Sequence, residues 1–202
     1  LATSSAASDV YKRQGELRSG ETLLVHGATS ALTLAATQMA VAAGARVLVT
    51  AASEEKCAIA RGLGAAATTT NRESDVTSWA MQQTDGKGVD MVLDHVGPAL
   101  WEASLFALAP RGRLVTCGNT TGDSADIPSL GFLFQRGVQI KGSDAYFSTD
   151  FACVWAHYCE GIERGRFSPQ IQETFAVEDG AQAHRLFETG EATGRLVMQH
   201  MS

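Results

Sequence analysis

Residues 22–44 constrain the fold most, because a buried-strand pattern passes through a short turn directly into a helical pattern. The strand is the apolar run TLLVH at 22–26, and small or apolar residues then recur at helical spacing from Leu32 to Ala43. Gly44 follows, and glycine is common just past a helix end. The segment therefore predicts a strand, a tight turn and a helix in immediate succession.

The same alternation continues along the chain. Strands of this length that alternate with helices predict an α/β fold, a doubly wound parallel sheet (Rossmann fold) of about six strands. The continuous apolar strands agree, because helices cover both faces of a parallel sheet. The further predicted strands are 46–50, 66–69, 89–94, 113–117 and 138–141, and the predicted helices are 54–63, 73–84 and 98–108, with a short helix before the sixth strand.

The pattern changes after Ser143. A helical stripe at 151–162, a helix at 178–190 and a short strand at 195–199 predict a C-terminal extension that packs back on another part of the protein. The sequence is therefore expected to divide into a disordered or non-native tail at 1–14, a domain at 15–143 with the Rossmann fold, which commonly binds dinucleotides, and the extension at 144–202.

Composition excludes several classes of partner. The 202 residues carry a net charge of −6 without a basic cluster, so neither nucleic acid nor a membrane surface is expected to bind. No apolar run approaches the roughly 20 residues that span a bilayer, and no secretory signal is visible, so a cytoplasmic protein is expected. The cysteines form no C-x-x-C pair, which predicts reduced thiols rather than disulfides or a zinc ribbon: Cys57, Cys117, Cys153 and Cys159.

The turn after the first strand is the candidate phosphate-binding site. In a doubly wound sheet this turn and the helix N-terminus bind a dinucleotide pyrophosphate. Gly27 can supply the tight turn and Ser30 can cap the helix, but Ala31 and Thr33 stand where further glycines would help. The turn alone also fits an ordinary strand-to-helix connection, and Thr33 is expected to push the helix outward.

The end of the second strand favours NADPH over NADH. An NAD enzyme places an acidic residue there to bind the ribose hydroxyls. Here the strand ends Thr50-Ala51-Ala52-Ser53, and Ser53, Lys56 and Arg72 would suit a 2′-phosphate. An approach of Glu54 to the ribose would reverse the preference.

Three strand ends converge on the predicted crevice: His26, residues 94–97 and residues 117–119. His26, His95 and Cys117 could form a metal site, and His95 could act as an acid or base. The simplest interpretation is a histidine that is hydrogen-bonded at a strand end. Gly97 and Gly118 would allow the backbone to approach a cofactor closely.

Taken together, several segments resemble the medium-chain dehydrogenase/reductase superfamily, and within it the quinone oxidoreductase branch with its zeta-crystallin-like enzymes. The likeness runs from about Gly15 to Met198. It implies NADPH-dependent hydride transfer to a quinone or another α,β-unsaturated carbonyl without a catalytic metal, and a homodimer formed through the sixth strand at 138–141. The segments are HGATSALTLAATQMAVAAGARV, SEEK, GKGVDMVLDHVG, LAPRGRLVTCGNTTG and HRLFETGEATGRLVM.

The resemblance also implies the cofactor contacts. Residues 30–32 match the pyrophosphate turn, Ser53 and Lys56 the 2′-phosphate contacts, Asn71 the adenine end, and residues 117–119 the loop beside the nicotinamide. No catalytic residue is predicted. The predicted cofactor-binding residues are Gly27, Ser30, Ala31, Leu32, Ser53, Lys56, Asn71, Val96, Gly97, Cys117, Gly118, Asn119 and Ser143.

Two departures from the family qualify this prediction. The family's Gly-Val-Gly turn is Ala31-Leu32-Thr33 here, which weakens the expected affinity for the cofactor. The family's N-terminal catalytic domain has no counterpart in this sequence, so the chain is expected to be a cofactor-binding fragment, inactive alone, whose extension packs on that missing domain. A truncated zinc-dependent alcohol dehydrogenase and a domain that has lost cofactor binding remain alternatives.

Overall fold

A computed structural model describes residues 15–71, 75–143 and 151–200 of the chain. The predicted tail at 1–14, Arg72 and the first residues of the helix predicted at 73–84 lie outside the described residues, and the side chain of Cys153 is not described. The division of the chain into domains stays a prediction.

Six parallel strands form one sheet in the order β3-β2-β1-β4-β5-β6. The strand order reverses between β1 and β4, which creates a crevice at the carboxyl ends of these strands. This arrangement confirms the predicted doubly wound α/β fold. The strands are β1 Thr22–His26, β2 Arg46–Ala51, β3 Ala67–Thr70, β4 Val89–Asp94, β5 Leu108–Thr116 and β6 Gln139–Gly142.

Local chemistry sets where the helices begin and end. Ser30, Ser53 and Asp75 cap three helices by accepting hydrogen bonds from backbone N–H groups of the first turn. Gly44 and Gly64 follow two helices with φ of 81° and 94°, a conformation that glycine adopts without strain. The helices are α1 Ala31–Ala42, α2 Glu54–Gly62, α3 Val76–Gln83, α4 Pro98–Phe106, α5 Leu130–Arg136, α6 Phe151–Glu163 and α7 Gly180–Glu188, the last preceded by a 3-10 turn at Val177–Asp179.

The structure corrects several boundaries. The helix predicted at 98–108 ends at Phe106, because Leu108 already pairs with Val89 as the first residue of β5. The strand predicted at 113–117 is therefore longer at its start, where an irregularity in the pairing accommodates Arg111 and Gly112. The extension contains an additional strand, β7 Ile171–Ala176, which pairs in parallel with β8 Arg195–Gln199.

The core lies on both faces of the large sheet, as alternating strand residues require. On one face Leu23, Val25 and Met91 pack with helix α1, and on the other Leu24 and Leu48 pack with helices α3 and α4. No helix of the described residues is long and apolar enough to cross a membrane.

Part of the extension belongs to the first of these clusters. Tyr158 of α6 and Phe167 are each 4% exposed, and their rings stack with centroids 5.7 Å apart. Both join the cluster formed by β1 and α1. The extension therefore packs on the large sheet, and its contact with a further domain stays a prediction.

Candidate functional site

A cleft of about 670 Å³ opens at the carboxyl ends of the central strands. Its size lies within the range of ligand-binding pockets. Three parts of the chain line it: the turn after β1, the ends of the other strands, and the extension. The lining residues are Gly27, Ala28, Thr29, Ser30, Ala31, Leu32, Ala52, Lys56, His95, Cys117, Gly118, Thr120, Phe187, Gly190, Ala192, Gly194, Arg195 and Leu196.

The structure brings some of the predicted cofactor-binding residues together in this cleft and places others outside its lining. The predicted residues that line it are Gly27, Ser30, Ala31, Leu32, Lys56, Cys117 and Gly118. The predicted residues that do not are Ser53, Asn71, Val96, Gly97, Asn119 and Ser143.

The turn after β1 is shaped by Gly27 and Ser30. Gly27 has φ of 78°, and its N–H donates to the Thr50 carbonyl of β2. The Ser30 side chain accepts from the Thr33 N–H at 3.1 Å and so caps helix α1. The amides of Ala31 and Leu32 remain at the helix N-terminus, where no carbonyl of the same helix can reach them. A pyrophosphate is the kind of anion that such amides bind.

Thr33 is accommodated at the junction of helix and strand. Its side chain is fully buried, and its hydroxyl donates to the His26 carbonyl at 3.1 Å. The buried hydroxyl is therefore satisfied by the strand that the helix packs against.

His26 lies inside the protein rather than on the cleft wall. Its Nδ1 is 2.9 Å from Thr50 Oγ1 and its Nε2 is 2.9 Å from Ser104 Oγ. Burial, with a smaller contribution from His95, lowers its pKa to about 3, so the imidazole is neutral. Both ring nitrogens are occupied, which removes His26 from the hypothetical metal site with His95 and Cys117.

The end of β4 is organised around a buried carboxylate. Asp94 is fully buried and accepts hydrogen bonds from the backbone N–H groups of Val96 and Gly97 at 3.2 Å. Burial raises the pKa of Asp94, and these two hydrogen bonds oppose the increase. The Asp94 carboxylate thus engages the amides of Val96 and Gly97, and neither residue lines the cleft.

At the end of β5, Cys117 and Gly118 line the cleft. Burial raises the pKa of the Cys117 thiol to about 12, and nearby Asp94 adds to the increase, so this thiol is not a nucleophile near neutral pH. A Cβ at Gly118 would lie 3.1 Å from the His95 carbonyl oxygen, which leaves little room for a side chain. The Asn119 side chain instead donates to Asp123 at 2.8 Å.

At the end of β2, Lys56 lies on the cleft wall. Lys56 Nζ donates to the Gly190 carbonyl at 2.6 Å, while Ser53 caps helix α2. Glu54 is paired with Arg61 at 2.5 Å, which directs its carboxylate to that partner. Asn71 follows the edge strand β3, and its backbone N–H donates to the Ala51 carbonyl.

Ser143 lies beyond the opposite edge strand, where its N–H donates to the Thr116 carbonyl at 2.9 Å. Its placement after β6 explains why it does not reach the cleft lining.

The extension supplies a wall that the sequence did not predict. Thr29 Oγ1 donates to the Ala192 carbonyl at 3.4 Å, and Lys56 Nζ donates to the carbonyl of Gly190, two residues before Ala192. Residues 187–196 therefore lie across the cleft, in contact with both the turn after β1 and helix α2. Gly190 and Gly194, which flank the crossing, were the only local sequence hint of a chain reversal here.

Residues 31–159 match the family described as zinc-binding dehydrogenase. The match includes helix α1, the five strands that follow it and most of helix α6. The chain belongs to the zinc-binding dehydrogenase family.

Quinone oxidoreductases are among the proteins to which this chain is similar. The quinone oxidoreductase of Pseudomonas aeruginosa is 36% identical over 91% of the chain and 58% of its own length. Likeness to the quinone oxidoreductase branch, predicted from sequence segments, is thereby confirmed. The chain spans less than two thirds of this relative's length.

Solved structures of zinc-binding dehydrogenase relatives share the fold. A structure described as an NAD-dependent alcohol dehydrogenase has a TM-score of 0.90 and 30% identity, covering 99% of this chain and 57% of its own. The Escherichia coli quinone oxidoreductase complexed with NADPH has a TM-score of 0.89 and 25% identity, covering 98% and 63% respectively.

The family description raises the question of a zinc ion. Within residues 15–71, 75–143 and 151–200, no three His, Cys, Asp or Glu side chains lie close enough together to hold a metal ion. These residues do not fit a zinc site, and no chemical step of this chain is assigned to zinc.

Proposed function

We propose that this chain is the cofactor-binding part of an NADPH-dependent oxidoreductase that transfers hydride to a quinone or another α,β-unsaturated carbonyl. The observation that carries the proposal is the cleft at the strand-order reversal, with the N-terminus of α1 on one wall and Lys56 on another. The names of the relatives support the acceptor class.

The residues of the cleft fit a dinucleotide. The free amides at the start of α1 would bind the pyrophosphate, because the partial positive charge of a helix N-terminus favours anions. Gly118 would allow the nicotinamide end to approach the backbone, and residues 187–196 would exclude water from one side. NADPH, when bound, supplies the hydride.

The end of β2 supports NADPH over NADH. Lys56 lies on the cleft wall at this strand end, and Glu54, the first acidic residue after β2, is paired with Arg61. A 2′-phosphate would gain a charge-assisted hydrogen bond from Lys56, whereas a ribose 2′-hydroxyl would need an acceptor that Glu54 does not offer in this conformation.

Titration of this chain with each cofactor, followed by nicotinamide fluorescence, tests the proposal. NADPH should bind on the order of tenfold more tightly than NADH. Lys56→Gln should abolish that difference, and Lys87→Gln, an exposed lysine outside the cleft lining, should retain it. Equal affinities in the wild type would overturn the NADPH assignment, and no binding of either at about millimolar concentration would overturn cofactor binding.

The acceptor is tested separately. In a protein that joins this chain to a catalytic domain of the family, loss of NADPH absorbance on adding a quinone supports a quinone reductase. Oxidation of an alcohol with NAD would instead favour the activity named for the alcohol dehydrogenase neighbour.

We further propose that two copies associate through β6. This strand is at the edge of the sheet, and the adjacent surface exposes Leu130 by 72%, Phe134 by 75% and Ile140 by 37%. An unpaired edge with apolar neighbours is suited to pairing with a second copy. Sedimentation of the wild type and of Phe134→Glu tests this: a dimer that the substitution dissociates supports it, and a monomeric wild type contradicts it.

A further inference from the structure

The His26 carbonyl, at the end of β1, accepts two hydrogen bonds from the cleft side. Thr33 Oγ1 lies 3.1 Å from this oxygen and His95 Nε2 lies 2.8 Å from it. Because a carbonyl oxygen only accepts, Thr33 donates its hydroxyl hydrogen and His95 carries a proton on Nε2. Both lone pairs of this oxygen are therefore used.

Ser30 extends this arrangement to the start of α1. Its Oγ is 2.6 Å from Thr33 Oγ1, and since the Thr33 hydrogen is given to His26, Ser30 is the donor in this contact. Ser30 also accepts from the Thr33 N–H. Hydrogen bonds thus connect the N-terminus of α1, the end of β1 and the end of β4, with the phosphate-binding turn 27–30 between them.

The packing around His95 is equally close. A Cβ at Gly27 would lie 3.4 Å from His95 Nε2, and a Cβ at Gly118 would lie 3.2 Å from His95 Cβ. Thr120 Oγ1 donates to the His95 carbonyl at 2.9 Å. His95 therefore contacts the turn after β1 on one side and the end of β5 on the other.

Thr33 occupies the junction where helix α1 packs against strand β1. In the dinucleotide fingerprint a glycine at this position lets the helix approach the strand closely. Thr33 fills the junction with a side chain and joins helix to strand by a hydrogen bond, and His95 binds the same oxygen. In this chain, two hydrogen bonds to the His26 carbonyl fix the contact between helix and strand that a small glycine would otherwise allow.

We propose that His95 is a positioning residue for the nicotinamide nucleotide, acting with Thr33 through the His26 carbonyl to fix the turn 27–30. The proposal rests on the proposed NADPH binding. Pyrophosphate binding in the cleft then depends on His95, whereas binding of the 2′-phosphate at Lys56 does not.

Four variants of this chain test it. His95→Phe removes the donor and keeps a ring, whereas His95→Gln keeps a side-chain N–H. Thr33→Val removes the hydroxyl and keeps the shape, whereas Thr33→Ser keeps the hydroxyl. Each is titrated with NADPH by fluorescence and, in competition, with adenosine 2′-phosphate, which has no pyrophosphate.

His95→Phe and Thr33→Val should each weaken NADPH binding about fivefold, the effect of one hydrogen bond. His95→Gln and Thr33→Ser should stay within about twofold of the wild type. Each single variant leaves the His26 carbonyl with one donor and the double variant leaves it with none, so the double variant should lose more than the product of the single losses. Adenosine 2′-phosphate should bind every variant equally.

Wild-type NADPH affinity in both His95→Phe and Thr33→Val would overturn the proposal, and so would equal losses for the two ligands, which would indicate a general structural role. If His95→Phe does not fold, as judged by circular dichroism, the Thr33→Val and Thr33→Ser pair decides. A wild type that binds no NADPH would overturn the proposed function itself, a result visible before any variant is measured.

Discussion

Lowering the pH should destabilise the fold through His26. Burial lowers the pKa of this histidine to about 3 in the folded chain, against 6.5 for an unperturbed histidine. Between these two values the unfolded chain binds one more proton than the folded chain. The free energy of unfolding therefore rises with pH in this window and levels off above 6.5.

The size of the effect follows from the two pKa values. Between about pH 7 and about pH 5, His26 alone should lower the free energy of unfolding by about 2 kcal/mol. That loss is a substantial fraction of the stability of an ordinary domain. His26 cannot relieve it by titrating in place, because its two nitrogens already bind Thr50 and Ser104 inside the protein.

Urea unfolding at the two pH values measures the loss. His26→Gln cannot titrate and should lose about 2 kcal/mol less than the wild type over the same interval. His184→Gln, which changes an exposed histidine on α7, should behave as the wild type does. If His26→Gln and the wild type lose equal stability, the assignment of a neutral, buried His26 is refuted.

Three further predictions concern single positions. Gly88→Ala should lower the free energy of unfolding in urea by at least about 2 kcal/mol, because φ is 87° and a Cβ would lie 2.7 Å from the Ala109 nitrogen. Gly86→Ala is the control: with φ of 77° and open space around the Cβ, it should cost about 1 kcal/mol. Equal costs for the two variants would contradict this. Leu24→Ala should lower the free energy of unfolding by roughly 2–5 kcal/mol, since Leu24 is completely buried between the sheet and the helices, and a loss below about 1 kcal/mol in urea unfolding would disprove tight packing there. Cys117 in the native chain should react with iodoacetamide about a thousandfold more slowly than an unshifted thiol, as its pKa of about 12 implies, and rapid labelling of its peptide by mass spectrometry would count against that value.

The sequence predicts those elements that carry a clear apolar pattern or a helix cap. The sequence predicts the strand at 22–26 and the helix after it because residues 23–25 in the middle of β1 are apolar and Ser30 caps α1. Strand β7 was missed because only Phe175 of its six residues is buried, so its sequence carries no apolar alternation. The start of β5 was missed because Arg111 and Gly112 interrupt its apolar pattern.

The site was less predictable, since its shape depends on contacts between distant residues. Sequence order places Val96 and Gly97 at a strand end, but it does not reveal that the Asp94 carboxylate takes their amides. The cleft position of Lys56 was anticipated, whereas its bond to Gly190 was not. The sequence predicts a hydrogen-bonded histidine at position 95, with an acid, a base or a metal ligand as alternatives, but its partner, the His26 carbonyl, depends on how two strand ends meet.

The wall formed by residues 187–196 links the cleft to a part of the chain that is synthesised long after the turn after β1 and helix α2. Its two hydrogen bonds to the nucleotide-binding sheet join residues 163 and 134 positions apart. A nascent chain that has emerged only as far as α7 has all six strands of the large sheet outside the ribosome but an open cleft. The cleft therefore closes only after residues 187–196 have left the ribosome, and a ribosome-stalled chain lacking these residues is expected to hold a nicotinamide nucleotide less firmly than the released chain.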